Sequence, residues 1–342
     1  MTKPSSPPPT VLVISLGGTI TMTPTTAEGA AKPTLSAEDL LAAVPQLAAT
    51  GIVVKTQSFT TKPGASLTLD EIEDLAGQLR AMDDQGTFDG FVVAQGTDTL
   101  EETSYLLSLL YAGDTPLIVT GAMRAPYLAG ADGPANLLAS VTVAASTQAR
   151  GLSVLVVFND QVFDAARVRK THSTSTNAFA APDTGPLGTV AEGSLRLLAV
   201  PAHKPLPLSA AMTCPARVGV YSASLGDDGT LLAPLLEQVD GLVIAGFGVG
   251  HVPATWVPIL QEAAERIPVV LASRTGGGTT LTHAYGFDGS EKDLLDRGLI
   301  GAGHLNPYKA RLLLTVLLRS GADRDSILAS FAPAGTTPEG RG

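Results

Sequence analysis

Short apolar runs rich in β-branched residues recur along the chain, and each of them ends in glycine or a polar residue. Most of the runs show no alternation of polar and apolar positions, which is typical of strands buried on both faces of a parallel sheet. They are TVLVIS (10–15), FVVAQG (91–96), PLIVTGA (116–122), LSVLVVFND (152–160), RVGVYSAS (217–224), GLVIAGFG (241–248) and PVVLAS (268–273). The pattern predicts a sheet of mostly parallel strands.

Segments with a helical spacing of apolar residues lie between these strands. In the first half of the chain, Ser36, Thr68 and Thr97 precede such segments and are candidate N-terminal caps. In the second half the helical segments are LLAPLLEQV (231–239), ATWVPILQEAAERI (254–267), EKDLLDRGLI (291–300) and, as the last helix, PYKARLLLTVLLRS (307–320). Strands that alternate with helices predict the α/β class.

Residues 191–217 interrupt this rhythm, because AEGSLRLLAVPAHKPLPLSAAMTCPAR is rich in proline and alanine and has no clear period. We interpret the stretch as an antiparallel edge piece followed by a linker. The chain has 342 residues, a length that suggests about two domains. The predicted organisation is a disordered tail (1–9), a larger N-terminal domain (10–198), a linker (199–217), a smaller C-terminal domain (218–333) and a disordered tail (334–342).

The composition narrows the possible partners. The net charge is −10 and Lys and Arg form no cluster, so nucleic acid is not expected as a partner. The single cysteine, Cys214, allows neither an intramolecular disulfide nor a cysteine-based metal site, and the five histidines lack the spacing of a structural zinc site. No apolar run is long enough for a membrane span, and MTKPSSPPPT has no apolar signal core. We therefore expect a cytoplasmic protein without a metal or a membrane partner.

Two strand ends carry hydroxyl groups beside glycine. GGT (17–19) follows the first strand, where the glycines let a ligand approach the backbone and the Thr19 hydroxyl becomes a nucleophile if it is activated. QGTDTLEE (95–102) places Thr97 and Asp98 at the start of a helix, where N–H groups favour an anion. Each segment also has a structural interpretation: a tight turn in which Thr19 caps a helix, and a capping box made by Thr99 and Glu102.

Two further strand ends carry charged residues. Lys170 lies in RKTHSTST (169–176), and a lysine buried beside threonine and aspartate can accept a proton, although an exposed loop lysine is the commoner case. GAMR (121–124) and ADGP (131–134) belong to another loop, in which Arg124 and Asp132 could simply pair with each other. Because the carboxyl ends of parallel strands meet at one edge of a sheet, we expect all these segments to line one crevice.

The ordered set of motifs resembles the bacterial-type L-asparaginase/glutaminase family. The motifs are SLGGTITM (15–22), QGTDTLEETSYLL (95–107), GAMR with ADGPANL, RKTHSTSTNAF with GPLG, and AGFGVGHVP (245–253), and the likeness runs from about Val11 to Arg311. The resemblance implies a larger N-terminal α/β domain with a mixed, mostly parallel sheet, and a smaller flavodoxin-like C-terminal domain. It also implies a homodimer or homotetramer with its sites at the dimer interface.

The resemblance further implies hydrolysis of the side-chain amide of L-asparagine to aspartate and ammonia, with no cofactor. Thr19 matches the nucleophile, while Thr97, Lys170 and Asp98 match the second catalytic group. Asp98 would also hold the substrate ammonium, and the backbone at Ala122 and Thr97 would donate to the amide oxygen. The remaining candidates for substrate binding are Gly18, Gly64, Ser66 and Gly96.

The chain departs from the family pattern in the groups around the nucleophile and the substrate carboxylate. A tyrosine that often orients the nucleophile is missing from the loop after GGT, since the first tyrosine of the chain is Tyr105, and Thr21 or Thr23 is the candidate substitute. Gly64 falls on the position of a serine that binds the substrate carboxylate, and Ser66 follows two residues later.

Two departures fall in the C-terminal part of the chain. GGGTTLTHAYG (276–286) lacks the carboxylate that the neighbouring subunit often contributes, although Tyr285 could compensate. His251 stands where asparagine is frequent, and it is either a structural residue or a residue at the edge of the site.

The expected activity is that of an L-asparaginase, and other readings remain open. A broader glutaminase-asparaginase is one, because the two amides differ by a methylene that a pocket distinguishes by only about 1–3 kcal/mol. A non-catalytic amino-acid sensor is another, although the chain keeps Thr19, Thr97, Asp98 and Lys170. The amide-hydrolysing subunit of an amidotransferase would need an extra N-terminal domain, for which the early GGT strand is expected to leave no room.

Overall fold

The computed structural model describes residues 7–24, 31–33, 36–201 and 212–335. The chain divides into two compact units, Met1–Pro207 and Leu208–Gly342, and each unit has a main sheet of its own. The ends of the two predicted tails and the middle of the predicted linker, residues 202–211, lie outside the described residues, as does part of the loop that follows GGT.

The N-terminal unit consists of short strands and four α-helices among its described residues. The strands are β1 (Thr10–Ser15), β2 (Met22–Pro24), β3 (Ala31–Pro33), β4 (Val53–Ser58), β5 (Gly90–Gln95), β6 (Leu117–Gly121), β7 (Val154–Phe158), β8 (Gln161–Asp164), β9 (Arg169–Lys170), β10 (Phe179–Ala180), β11 (Gly188–Ala191) and β12 (Ser194–Leu197). The helices are α1 (Ala37–Ala42), α2 (Leu69–Asp84), α3 (Leu100–Leu110) and α4 (Gly133–Ala144), with 3₁₀ turns at Thr19–Thr21, Pro45–Ala49, Gly64–Ser66, Thr97–Thr99 and Thr147–Ala149.

The main sheet of this unit has eight strands in the order β12-β11-β8-β7-β6-β5-β1-β4. Strands β4, β1, β5, β6 and β7 are parallel, whereas β7, β8, β11 and β12 pair in the antiparallel sense. The predicted mixed, mostly parallel sheet and the predicted antiparallel edge piece are therefore confirmed. β1 lies between β4 and β5. The chain runs from β1 to β4 on one side and then crosses to β5 on the other side, and α/β sheets place their ligand crevice at the carboxyl ends of strands where the direction reverses in this way.

Apolar side chains cover both faces of the parallel strands. On one face Val11, Val92 and Ile118 pack in a cluster with Leu40 of α1 and Leu137 of α4. The alternate positions of the same strands, including Leu12, Phe91 and Val119, are also buried. Burial on both faces explains why these strands are continuous apolar runs in the sequence.

The structure contains elements that the apolar pattern does not predict. β4 is the edge strand VVKTQS, whose residues are all half-buried or exposed, and it therefore lacks a continuous apolar signal. A helix, α9 (Arg324–Gly335), follows the segment that was predicted to be the last helix and reaches into the predicted tail. Its buried Ile327 and Phe331 are four residues apart and therefore share a helix face.

Of the three predicted helix caps, Ser36 and Thr68 are confirmed, whereas Thr97 lies inside a 3₁₀ turn and does not cap α3. The predicted capping box of Thr99 with Glu102 does not form either. Ser36 and Thr68 form capping boxes with Asp39 and Glu71. Helix α3 begins at Leu100, and Thr99 makes no side-chain capping bond. Its hydroxyl donates to the carbonyl oxygen of Gly64 at 3.1 Å instead, because the two turns pack against each other.

The C-terminal unit has a smaller, four-stranded parallel sheet in the order β13-β14-β15-β16. The strands are β13 (Val218–Ser222), β14 (Gly241–Gly246), β15 (Val269–Ser273) and β16 (Ile300–Gly301), and the helices besides α9 are α5 (Leu232–Leu236), α6 (Val257–Arg266), α7 (Glu291–Asp296) and α8 (Pro307–Arg319), with a 3₁₀ turn at Ala254–Trp256. The prediction of a smaller parallel α/β unit is confirmed. Its described strands follow simple chain order, whereas flavodoxin has the order 2-1-3-4-5.

The core of this unit forms around the fully buried Trp256, with Leu242, Ile244, Leu260 and Leu271 in the same cluster. Among the described residues of the whole chain, no helix is both long and apolar enough to cross a membrane.

Candidate active site

The candidate site lies at the carboxyl ends of β1 and β5, on either side of the crevice that the strand order creates. Gly18 and Gly96 each follow one of these neighbouring strands, whose Ser15 and Ala94 are paired in register. A β-carbon added to Gly18 would lie 2.1 Å from the backbone nitrogen of Gly96, and one added to Gly96 would lie 3.2 Å from the α-carbon of Gly18. The two backbones are therefore in direct contact, and only hydrogen fits between them.

A third glycine completes this contact. Gly64 is buried in its 3₁₀ turn, and its backbone nitrogen lies 3.2 Å from the position of a Gly96 β-carbon. Thr19 and Thr97 directly follow Gly18 and Gly96 in the chain. The glycine packing therefore brings together the backbone segments that carry the two predicted catalytic threonines, of which Thr19 is half-buried and Thr97 buried.

The turn that carries Thr19 is stabilised by the side chain of Thr21, two residues further along the chain. The Thr21 hydroxyl donates to the carbonyl oxygen of Gly18 at 2.9 Å, and Thr21 is fully buried. This hydroxyl therefore stabilises the turn that carries Thr19, and the substitution of Thr21 for the missing loop tyrosine stays a prediction. Thr23 lies in β2. Part of the loop beyond Pro24, residues 25–30, lies outside the described residues.

Lys170 joins the two residues that follow Gly96. Its Nζ donates to Thr97 Oγ1 at 2.9 Å and to Asp98 Oδ1 at 2.8 Å. The side chain of Lys170 is 16% exposed and that of Asp98 is 72% exposed, so the amine is largely enclosed while the carboxylate is accessible to solvent. The structure thus brings together Thr97, Asp98 and Lys170 across a sequence separation of 73 residues for the threonine–lysine pair.

This trio can move a proton between a hydroxyl and an amine. A protonated Lys170 donates to Thr97 Oγ1, which leaves the proton of Thr97 free to point toward the crevice, and a deprotonated Lys170 can accept that proton. Asp98 Oδ1 accepts a hydrogen bond from the same amine at 2.8 Å and thereby fixes its position. The arrangement follows the logic of a nucleophile–base–carboxylate triad.

The segment from Lys62 to Ser66 borders the glycine contact. A β-carbon on Gly64 would lie 3.1 Å from Thr99 Oγ1, so a small side chain fits there only if the threonine shifts slightly. Ser66 is exposed at the end of the turn. Lys62 forms an ion pair with Glu71, and its hydrogen bond, together with one from the Thr68 N–H, lowers the pKa of that carboxyl below its usual value.

Ala122 follows β6 and is fully buried. Asn136 Nδ2 donates to the carbonyl oxygen of Gly121 at 3.0 Å, and this carbonyl belongs to the same planar peptide unit as the Ala122 N–H. Asn136 Oδ1 accepts the N–H of Asn159 at 2.9 Å, which joins the ends of β6 and β7. Asn136 was not predicted, and its only signal was a polar position within the apolar helix ANLLASVTVAA.

Asp132 holds the backbone of the same loop. Its carboxylate accepts the N–H groups of Met123 at 3.0 Å and Arg124 at 2.8 Å, while the Arg124 guanidinium donates to the carbonyl oxygen of Gly130. The interpretation in which Arg124 and Asp132 pair through their side chains is therefore wrong. Both charges instead fix the conformation of the loop that begins at Ala122.

Tyr105 does not lie in the position of a loop tyrosine. It belongs to α3 and is 4% exposed. Burial raises the pKa of its phenol above the usual value, and the nearby charge of Asp164 acts in the same direction. The group therefore stays protonated at neutral pH and does not serve as a base.

In the C-terminal unit, the carboxylate of Glu291 lies against the segment 276–286, which contains no Asp or Glu of its own. The side chain of Glu291 is fully buried, and it accepts the N–H groups of Ala284 and Tyr285, both at 2.9 Å, and contacts His251 Nε2 at 3.1 Å. Burial by itself raises the pKa of this carboxyl, but the hydrogen bonds outweigh burial and the pKa is lowered overall.

His251 also contacts the rings of Tyr285 and Phe287, both at 5.0 Å between centroids. His251 is therefore part of a packed cluster within its own unit. This packing favours the interpretation of His251 as a structural residue. Tyr285 is 47% exposed and its ring is therefore accessible at the surface of that unit. Among the described residues of the chain, no group of three or more His, Cys, Asp or Glu could hold a metal ion.

An α/β fold that gathers two threonines, a lysine and an aspartate at neighbouring strand ends has the arrangement of a hydrolase with a hydroxyl nucleophile. Comparison with known families agrees with this class. Residues 10–202 match the N-terminal asparaginase domain, and residues 217–331 match the C-terminal glutaminase/asparaginase domain. The chain belongs to the asparaginase family.

Several relatives are similar over most of their length. A probable L-asparaginase of Deinococcus radiodurans is 38% identical, with 82% of this chain and 86% of that protein covered. L-asparaginase 2 of Escherichia coli is 37% identical over 71% and 70% of the two chains. The crystal structure of a probable cytoplasmic L-asparaginase from Campylobacter jejuni superposes with a TM-score of 0.82 at 29% identity, covering 94% of this chain and 99% of that one.

The glycine contact makes a prediction about stability. Gly18 has φ +85° and no room for a β-carbon, whereas Gly51 has φ +72° and open space around it. Gly51→Ala should therefore lower the unfolding free energy only by the cost of the left-handed conformation, about 1–2 kcal/mol. Gly18→Ala also forces β1 and β5 apart at their ends, so we expect a severalfold larger loss of unfolding free energy in denaturant titrations. Equal losses for the two variants would contradict the close approach.

Proposed function

We propose that the chain is an L-asparaginase that hydrolyses the side-chain amide of L-asparagine through Thr19. The observation that carries the proposal is the position of Lys170 Nζ, 2.9 Å from Thr97 Oγ1 and 2.8 Å from Asp98 Oδ1. This trio lies directly beside the turn of Thr19 because Gly18 and Gly96 are in contact. The names of the relatives support the same substrate class.

In the first step the Thr19 hydroxyl oxygen bonds to the amide carbon of the substrate, and its proton passes to a base in the crevice. The electron pair of the carbonyl moves onto oxygen, where the N–H groups of Thr97 and Ala122 are the proposed donors. When the carbonyl reforms, the C–N bond breaks and nitrogen leaves as ammonia after it takes up a proton. The product on the enzyme is an aspartyl ester of Thr19.

In the second step a water molecule attacks the ester. Thr97 accepts a proton from the water and passes its own proton to Lys170. The resulting hydroxide bonds to the ester carbon. The bond to Thr19 oxygen then breaks, and this oxygen regains a proton. Aspartate leaves, and the enzyme returns to its starting state.

The far end of the substrate carries an ammonium and a carboxylate. Asp98 is the proposed partner of the ammonium, since its carboxylate is 72% exposed to the crevice although Lys170 occupies one of its oxygens. Gly18, Gly64 and Gly96 are proposed to contact the substrate through their backbone groups, because the sides that lack a β-carbon are filled by one another and by Thr99. Ser66 is exposed and follows the position of the missing serine by two residues.

The assembly, the domain limits and the cellular location are part of the proposal. A homodimer or homotetramer with sites at the dimer interface follows from family membership alone. The division into domains at residues 10–198 and 218–333 is proposed on the same basis. Location in the cytoplasm is supported by the Campylobacter protein, whereas the relative from Haemophilus influenzae is named a probable periplasmic L-asparaginase.

The roles of the site residues can be tested by substitution. We expect Thr19→Ala, Thr97→Ala and Lys170→Met each to lower kcat for asparagine by about a thousandfold or more, because groups that act as a unit fail together. The Thr19→Ala/Lys170→Met double variant should be little worse than either single variant. Thr19→Ser keeps a hydroxyl and should retain measurable turnover. A Thr19→Ala enzyme with a tenth of the wild-type ammonia release would refute the assignment.

A glutaminase-asparaginase is the second candidate, because the Pseudomonas aeruginosa relative with that name is 31% identical and covers 94% of this chain. We expect asparagine to be preferred, with a ratio of kcat/KM values of about 10–200 over glutamine, which is what a pocket distinguishes for one methylene. Steady-state ammonia release from both amides measures the ratio. A ratio near one, or a preference for glutamine, would favour the second candidate.

Gly64 makes a prediction about affinity. A hydrogen bond to a charged group contributes about 1.5–3 kcal/mol, so the absent serine weakens substrate binding by about tenfold or more. Gly64→Ser should therefore lower KM for asparagine by about that factor. Gly64→Ala is the matched control, since it places the same β-carbon 3.1 Å from Thr99 Oγ1 without a hydroxyl. The same KM for both variants, or an increase in the serine variant alone, would contradict the role of this position.

A further inference from the structure

The backbone of Lys170 has an N–H group that its own strand partner does not bind. β9 pairs with β10 in the antiparallel sense, with Lys170 opposite Phe179. The next residue, Thr171, donates its N–H to the carbonyl oxygen of Ala178 at 2.7 Å. Hydrogen-bonded and non-hydrogen-bonded pairs alternate along an antiparallel ladder, so the Lys170 N–H points away from β10.

The acceptor for this N–H comes from helix α3. Glu101 Oε2 accepts the hydrogen bond from the Lys170 backbone across a separation of 69 residues, and Glu101 is only 7% exposed. A buried carboxylate is costly unless it accepts hydrogen bonds, and an ionised acceptor makes a stronger bond than a neutral one. Glu101 also lies in the first turn of α3, where the helix dipole favours a negative charge.

One helix start therefore holds both ends of Lys170. The turn Thr97–Thr99 and the first residues of α3 are continuous, and they bind the ammonium through Thr97 and Asp98 and the backbone through Glu101. A lysine side chain has four flexible carbons between these two points. Fixing its backbone relative to the helix limits the positions that the amine can reach.

We infer that Glu101 is a positioning residue, which holds the Lys170 backbone so that the amine stays within hydrogen-bond distance of Thr97. The inference rests on the proposed function, because it assigns Glu101 a part in the reaction only if Lys170 has one. Glu101 reaches Lys170 through the backbone N–H, so the inference assigns it no part in the chemical steps themselves. A displacement of a catalytic group by about 1 Å can cost a hundredfold in rate, so the effect of losing this contact is measurable.

The experiment compares Glu101→Gln with Glu101→Met. Both side chains are neutral and similar in length, but only glutamine keeps an oxygen that can accept the Lys170 N–H. Glu102→Met is the control for losing a charge from the same helix turn, since Glu102 is the adjacent, half-buried carboxylate. Lys170→Met and the wild-type enzyme complete the set. For each, kcat and KM for asparagine and the midpoint of thermal unfolding are measured.

We expect Glu101→Met to lower kcat by about ten- to a hundredfold with KM changed by less than about threefold, because the substrate contacts remain. Glu101→Gln should stay within about threefold of the wild type, and Glu102→Met should stay close to it. If Glu101 only stabilises the fold, Glu101→Met will show a lower unfolding midpoint with an unchanged kcat for the folded enzyme. That result, or equal kcat losses in the Gln and Met variants, overturns the inference.

Failure of the proposed function has a different signature. A wild-type enzyme that releases no ammonia from either amide, or an active Lys170→Met variant, refutes the proposed role of Lys170 and not the contact itself. A second measurement, hydrogen–deuterium exchange of the wild-type protein, needs no variant to fold. The Lys170 amide should exchange as slowly as the Thr171 amide, which is bonded to Ala178. Fast exchange at Lys170 beside slow exchange at Thr171 overturns the inference.

Discussion

The contact between the backbones of Gly18 and Gly96 is the constraint on which the rest of the site depends. A β-carbon at Gly18 would fall 2.1 Å from the Gly96 nitrogen, so any side chain there separates the ends of β1 and β5. These strands are neighbours because β1 lies inside the parallel sheet, and their carboxyl ends border the crevice. Two loops that are distant in sequence thus each place a threonine at one point. The missing side chains matter here for the closeness of the two backbones, and at Gly18 also for its φ of +85°.

Around this contact, hydrogen bonds to backbone groups fix each loop separately. Thr21 holds the turn of Thr19, and Thr99 joins the turn of Thr97 to Gly64. Asp132 and Asn136 hold the loop that begins at Ala122. Two of these side chains, Thr99 and Asp132, are ones that the sequence analysis assigned to a capping box and to a pair of side chains. Buried polar groups of this kind need partners, and the partners available at strand ends are the N–H and C=O groups that the sheet leaves unpaired.

The sequence predicts the strands that are buried on both faces, because continuous apolar runs are a local signal, and it also predicts which strand ends carry polar residues. It does not predict β4, whose edge position removes the apolar signal, or the partner of Thr99, which depends on a turn 35 residues away. The meeting of Lys170 with Thr97 was expected from family resemblance. Glu291 shows the limit of reading segments one by one, since its carboxylate folds back onto Ala284, seven residues earlier.

The central claim is that Thr19 attacks the amide and that Thr97 and Lys170 serve the same reaction without forming the ester. The most direct measurement is acid quenching of the enzyme during turnover of asparagine, followed by peptide mapping with mass spectrometry. The account predicts an added aspartyl group on the peptide that contains Thr19 and its absence from a Thr19→Ala enzyme. An aspartyl group on the peptide that contains Thr97, in the wild type or in the Thr19→Ala enzyme, would contradict it.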